Sequence, residues 1–109
     1  MMDQQNYQRM QQIQDQLYSV EAQLQEFEKM IRDIEEYSKV KKDSEIFAPI
    51  SHGIFVKAKA VDTDRFTVNV GTNTVVEKSK NDAIDMLRMQ IAELQNYRDE
   101  LILILEKGE

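Results

Sequence analysis

The sequence predicts an α+β fold in which two long helices form an antiparallel coiled coil and two β-hairpins join them. Three observations lead there. Heptad seams run through both ends, apolar residues alternate in the middle, and the chain-breaking residues are confined. Gly53, Gly71, Gly108 and the only proline, Pro49, lie in the middle or at the very end, which leaves residues 1–48 and 72–107 free of breakers. The 109 residues are too few for more than one domain. It divides into a coiled-coil helix (1–42), a two-hairpin assembly head (43–79) and a second coiled-coil helix (80–109).

In the first segment, Met10, Ile13, Leu17, Val20, Leu24, Phe27, Ile31 and Ile34 are spaced alternately three and four residues apart. Sustained over more than three repeats, this is a coiled-coil seam, and it predicts a helix from about residue 3 to about residue 41. The last segment repeats the pattern with Ile84, Leu87, Ile91, Leu94, Arg98, Leu101 and Leu105, in which only Arg98 is polar. Ser79 with Asp82 three residues later is a plausible N-cap, and Gly108 stands where a C-terminal stop is expected.

In the middle, the period switches to two. "GIFVKAKAV" places Ile54, Val56, Ala58 and Ala60 on one face and Phe55, Lys57, Lys59 and Val61 on the other; "RFTVNV" aligns Phe66, Val68 and Val70. Asp62, Thr63 and Asp64 supply turn residues between these strands, which should then pair as a hairpin. "IFAPI" and "TVVEK" read as two further strands, four in all. A two-hairpin insert of this size is marginal on its own and open at its edges. It should therefore close against other subunits, with Ile54, Val56, Phe66, Val68, Val70 and Val75 as the contact residues.

Composition sets further bounds. Residues 1–43 carry nine acids and six bases, residues 44–79 four of each, and residues 80–109 seven and four, giving net charges of −3, 0 and −3. Acidic ends argue against a nucleic-acid partner. No apolar run is long enough for a bilayer, the N-terminus lacks the layout of a signal peptide, and there is no cysteine, so a cytoplasmic protein is expected. Neither a phosphate loop nor a nucleophile–base set is present, which predicts no enzyme and no cofactor. His52 before Gly53 reads as a turn residue rather than a metal ligand, and Asp62 with Asp64 as a turn rather than a calcium loop. Lys39, Lys41, Lys42, Lys57 and Lys59 read as solvated surface, with nucleic-acid or chaperonin docking as sharper alternatives.

One stretch resists a structural reading. Leu101 to Leu105, "LILIL", lie on a helix where neighbours point about 100° apart. With Leu101 and Leu105 on the seam, Ile102 and Ile104 flank it and Leu103 points outward.

The stretch "APISHGIFVKAKAVDTDRFTVNVGTNTVVEKSKNDAIDML", set between heptad helices, resembles the alpha-class prefoldin subunits of archaeal type, and the resemblance covers essentially the whole chain. "GIFVKAKAVDTD" is similar to the family's second strand and hairpin turn, "VNVGTNTVVEKS" to its third and fourth strands. Two hairpins rather than one favour the alpha class.

The resemblance implies a hexamer of two alpha-class and four beta-class subunits, with hairpins forming central inter-subunit β-barrels and coiled coils hanging as tentacles. It further implies that the tips hold non-native proteins without ATP and pass them to a group II chaperonin. Tyr7, Met10, Ile102, Leu103 and Ile104 are then the expected client-binding residues, with Met1 and Met2 nearby; replacing Leu103 and Ile104 by Ser should weaken capture and spare assembly. The bland reading of the same aliphatics is a thickened seam. With the second helix stopping near residue 107, the first dozen residues should run unpaired. A rival from another class is a structural coiled-coil protein whose hairpins build a filament or scaffold.

Overall fold

The computed structural model describes residues 3–108. Its elements follow in the order α1 (Gln4–Tyr37), β1 (Glu45–Ser51), β2 (Ile54–Lys59), β3 (Arg65–Gly71), β4 (Thr74–Ser79) and α2 (Lys80–Lys107). The chain divides into two compact units, one of Met1–Met30 with Met86–Glu109 and one of Ile31–Asp85.

In the first unit, α1 and α2 pack antiparallel, as the heptads require. Ile13, Val20, Leu24 and Leu101 are buried together, with Met10, Leu17, Ile91, Leu94, Ile104 and Leu105 packed around them. Each such side chain contributes about 1.5–3 kcal/mol when fully buried, which makes the seam the main stabilising feature of this unit. Asp3 caps α1, its Oδ1 accepting from the backbone N–H of Asn6 at 2.7 Å. Ser79 caps α2 as expected, accepting from the N–H of Asp82 at 3.1 Å. Gly108 closes α2 with a left-handed φ of 68° and an N–H bond to the Leu105 carbonyl at 3.2 Å.

Arg98, the polar member of the seam, keeps its guanidinium at the edge, with Nε 4.0 Å from Glu21 and 3.5 Å from Asp99. Pairs this exposed contribute about 1 kcal/mol at most, so Arg98 is tolerated rather than stabilising.

In the second unit, the strands form two separate antiparallel sheets, β1 with β2 and β3 with β4. The expected pairing of "GIFVKAKAV" with "RFTVNV" is therefore wrong. Asp62 forms an Asx turn, its Oδ1 accepting from the N–H groups of Asp64 at 2.8 Å and Arg65 at 3.2 Å. That geometry links one hairpin to the next instead of folding β2 back on β3.

The two hairpins share one construction, displaced by 20 residues. Glu45 opposes Lys59 as Arg65 opposes Ser79, Ala48 opposes Val56 as Val68 opposes Val76, and both registers slip by one residue just before the loop. Gly53 (φ 75°) and Asn73 (φ 56°) occupy equivalent places ahead of the return strand. A single left-handed residue with a one-residue slip is how a bulged hairpin loop closes.

Two boundaries differ from expectation. Helix α1 ends at Tyr37, short of residue 41, because Lys39 and Val40 donate to the carbonyls of Glu36 and Tyr37 in a tightening turn. Asp43 then turns left-handed (φ 66°), and its N–H bonds the Ala60 carbonyl at 2.7 Å while Ala60 N–H bonds Ser44 at 3.0 Å. These bonds to the end of β2 replace the last turn of helix. Strand β2 correspondingly stops at Lys59, and Ala60 is fully buried. Ala83 and Ile84, at the start of α2, are the other buried apolar side chains of this unit.

Candidate functional site

Two regions expose apolar surface that their own unit leaves uncovered. The first is the end of the packed helices where the start of α1 meets the end of α2. Tyr7, Met10, Gln11 and Gln14 share a shallow groove there with Leu105 and Gly108. The expectation that the first dozen residues run unpaired is corrected in part, since Met10 packs on the core shared with α2 and Tyr7 lines the groove beside Leu105 and Gly108. The reason is that Met10, the first residue of the α1 seam, still finds apolar side chains of the end of α2 to bury against.

Within "LILIL" the side chains divide by angle. Leu101 is 4% exposed and belongs to the core, Ile104 and Leu105 pack against that core, Ile102 is half-buried and Leu103 is 53% exposed. Met10 also packs on the core, whereas Tyr7 is 58% exposed. Of the expected client-binding residues, Leu103 and Tyr7 thus present free surface, while Met10 and Ile104 divide their area between core and solvent. Met1 and Met2 lie outside the described residues. The two helices are also tied polar to polar, Tyr97 Oη donating to Gln16 Oε1 at 3.2 Å.

The second region is the pair of hairpins. Each sheet has only two strands, so both outer edges lack a partner among the described residues. On the first hairpin, Ile46, Ala48, Val56 and Ala58 share one face, and Phe47, Pro49, Phe55 and Lys57 the other. Both faces are therefore partly apolar. Phe47, 68% exposed beside Phe55, is not among the expected contact residues, because the short run "IFAPI" does not by itself say which of its faces is covered. On the second hairpin, Phe66, Val68 and Val76 share a face, and strand alternation adds Val70.

Val75 pairs with Asn69 on the opposite face, so it does not join Phe66 and Val68. Val76 stands directly across from Val68, on the Phe66 face. "TVVEK" offers adjacent valines, and only the register decides between them. Ile54, Val56 and Val70 are exposed, while Phe66 and Val68 are half-buried.

Heptad helices packed antiparallel, together with two two-stranded hairpins of one design, define a coiled-coil protein with hairpins set between its helices. The chain belongs to the prefoldin family, whose subunit description it matches over residues 7–108. It is 34% identical over 93 residues to prefoldin subunit alpha 1 of Methanocaldococcus jannaschii, covering 85% of this chain and 63% of that one. It is 32% identical over 69 residues to prefoldin subunit alpha of Thermofilum pendens, covering 63% and 54%. The chain thus spans roughly half to two thirds of the length of such relatives. Its fold matches a solved structure of filamentous PFD from Methanocaldococcus jannaschii with a TM-score of 0.87, at 14% identity, over 94% of this chain and 85% of that one.

No helix among the described residues is long and apolar enough to cross a membrane.

Proposed function

We propose that the chain is an alpha-class subunit of an ATP-independent holding chaperone that works in the cytoplasm, with no enzymatic step. Its hairpins join those of beta-class subunits and of a second copy of itself, in a hexamer of two alpha-class and four beta-class chains. Their apolar faces, including Ile54, Val56, Phe66, Val68 and Val70, close into inter-subunit barrels. The helix end holds non-native proteins and releases them to a group II chaperonin. The observation that carries this reading is the free apolar surface of Leu103 and Tyr7 on a unit whose seam is otherwise well packed. Affinity there comes from apolar burial, about 25 cal/mol per Å², multiplied by several arms acting on one client.

The test is light scattering of a denatured, aggregating protein with this chain, alone and with a beta-class partner, and without nucleotide. Suppression at near-stoichiometric amounts supports the reading; none, from a sample shown to be assembled, overturns it.

A second reading is a filament or scaffold built through the hairpins, and the likeness to filamentous PFD supports it. Electron microscopy of the pure chain separates the two: long fibres favour the scaffold, discrete particles the chaperone.

A further inference from the structure

The start of α1 is unusual in what it lacks. From Gln4 to Val20 it carries seven glutamines and two charged residues, Arg9 and Asp15. An exposed helical face is ordinarily kept in water by charge. Here the solvent stripe is made of Tyr7, Gln11, Gln14 and Tyr18, whose spacing of four, three and four residues aligns them along the helix. Tyr18 is exposed like Tyr7. Arg9 lies about half a turn away from Tyr7.

This stripe borders the groove described above. Met10 and Leu105 give the groove its apolar part, while Tyr7, Gln11 and Gln14 form an uncharged polar rim. Gln11 Nε2 donates to Tyr7 Oη at 3.1 Å, which holds both side chains in one arrangement. The tyrosine hydroxyl then keeps its hydrogen to donate outward, and Gln11 Oε1 keeps its lone pairs to accept. Turning the amide end for end still leaves donors and acceptors free on the pair.

A donor beside an acceptor is the complement of a peptide group, which offers one of each. Helices and paired strands use their peptide groups internally, so only an extended, unpaired segment has them to offer. The absence of charge on the rim gives no purchase to phosphates or acidic partners.

We propose that the Tyr7–Gln11 rim and the Met10–Leu105 floor form a seat for an extended, uncharged apolar polypeptide, gripped by its main chain as well as its side chains. The proposal deepens the holding-chaperone reading and rests on it. Because peptide groups recur at every residue, such a seat binds without regard to sequence, selecting for the unfolded state itself.

The test uses the full chain and fluorescence anisotropy with two labelled probes. One is a short uncharged peptide of Leu, Ala and Ser; the other is the same peptide with alternate amides replaced by esters, which removes N–H donors and weakens the carbonyl acceptors. Tyr7→Phe combined with Gln11→Ala should weaken the amide peptide by about 3- to 10-fold and the ester peptide by less than about 2-fold, as expected for hydrogen bonds of ordinary strength. Both substitutions fall on an exposed helical face, and Ala is the better helix former, so circular dichroism should not change. Equal weakening of both peptides, or of neither, overturns the main-chain grip while leaving the holding role in place. If neither peptide binds the unaltered chain, the holding role fails and the seat fails with it.

Discussion

Tyr37 meets Phe66 edge to face, with ring centroids 5.8 Å apart and ring planes at 68°. Tyr37 is the last residue of α1 and Phe66 lies near the start of β3, so one ring contact ties the helix to the second hairpin. The Tyr37 hydroxyl also donates to the Asp62 carbonyl at 3.4 Å, reaching the link between hairpins. Phe66→Ala should therefore destabilise the Ile31–Asp85 unit by about 2–3 kcal/mol, while Tyr37→Phe, which keeps the ring, should lose less than about 1 kcal/mol. Urea unfolding followed by circular dichroism checks both. Equal losses would make the hydroxyl, not the ring, the important part.

The helices could be foreseen because a heptad repeats the same information many times. Leu17 or Ile91 could be mistaken and the seam would still stand out. The end of α1 could not, since Ser38 to Asp43 contain no breaker and what ends the helix is backbone pairing with Ala60, distant in sequence. The hairpin pairing differs from expectation for a related reason. Asp62 to Asp64 look like a hairpin turn by residue type, but "SHG" and "GTN" hold the left-handed residues that reverse the strands. At the helix end, the outward position of Leu103 followed from angle alone, whereas the partial burial of Met10 and Ile104 depends on how the two helices pair.

Gly53 and Asn73 offer a test of the shared hairpin design. Nothing lies within 4 Å of a Cβ added at Gly53, so replacing it brings no clash and only the left-handed backbone matters. Gly53→Ala should cost about 1 kcal/mol, and Asn73→Gly should be neutral or slightly stabilising. Thermal melts of the two variants should shift in opposite senses or leave only Gly53→Ala displaced. A harmless Gly53→Ala would mean that the loop adopts another geometry.

The two faces of the second hairpin should differ in assembly. Val68 and Val76 oppose each other on the Phe66 face, and Val75 sits on the other. A buried unpaired ammonium is costly, so Val76→Lys on an apolar contact face should abolish or sharply weaken association, whereas Val75→Lys should leave it within about 2-fold. Size-exclusion chromatography with light scattering, with and without a beta-class partner, reads the result. The reverse order would place the inter-subunit contact on the Asn69–Val75 face.

Leu103 and Ile104 are neighbours in sequence with different duties. Replacing both by Ser mixes two effects, because Ile104 packs against the Ile13–Leu101 core while Leu103 stands free. Leu103→Ser alone should change the melting temperature little and reduce suppression of aggregation several-fold, as a lost apolar contact repeated over several arms would. Ile104→Ser should instead destabilise the packed helices by about 1–3 kcal/mol, and any loss of holding should follow that melting. Measuring both variants below their melting temperatures separates binding from packing. If Leu103→Ser holds clients as well as the unaltered chain does, the free leucine is not a contact, and the groove at Tyr7 and Met10 becomes the part of the helix end left to explain client capture.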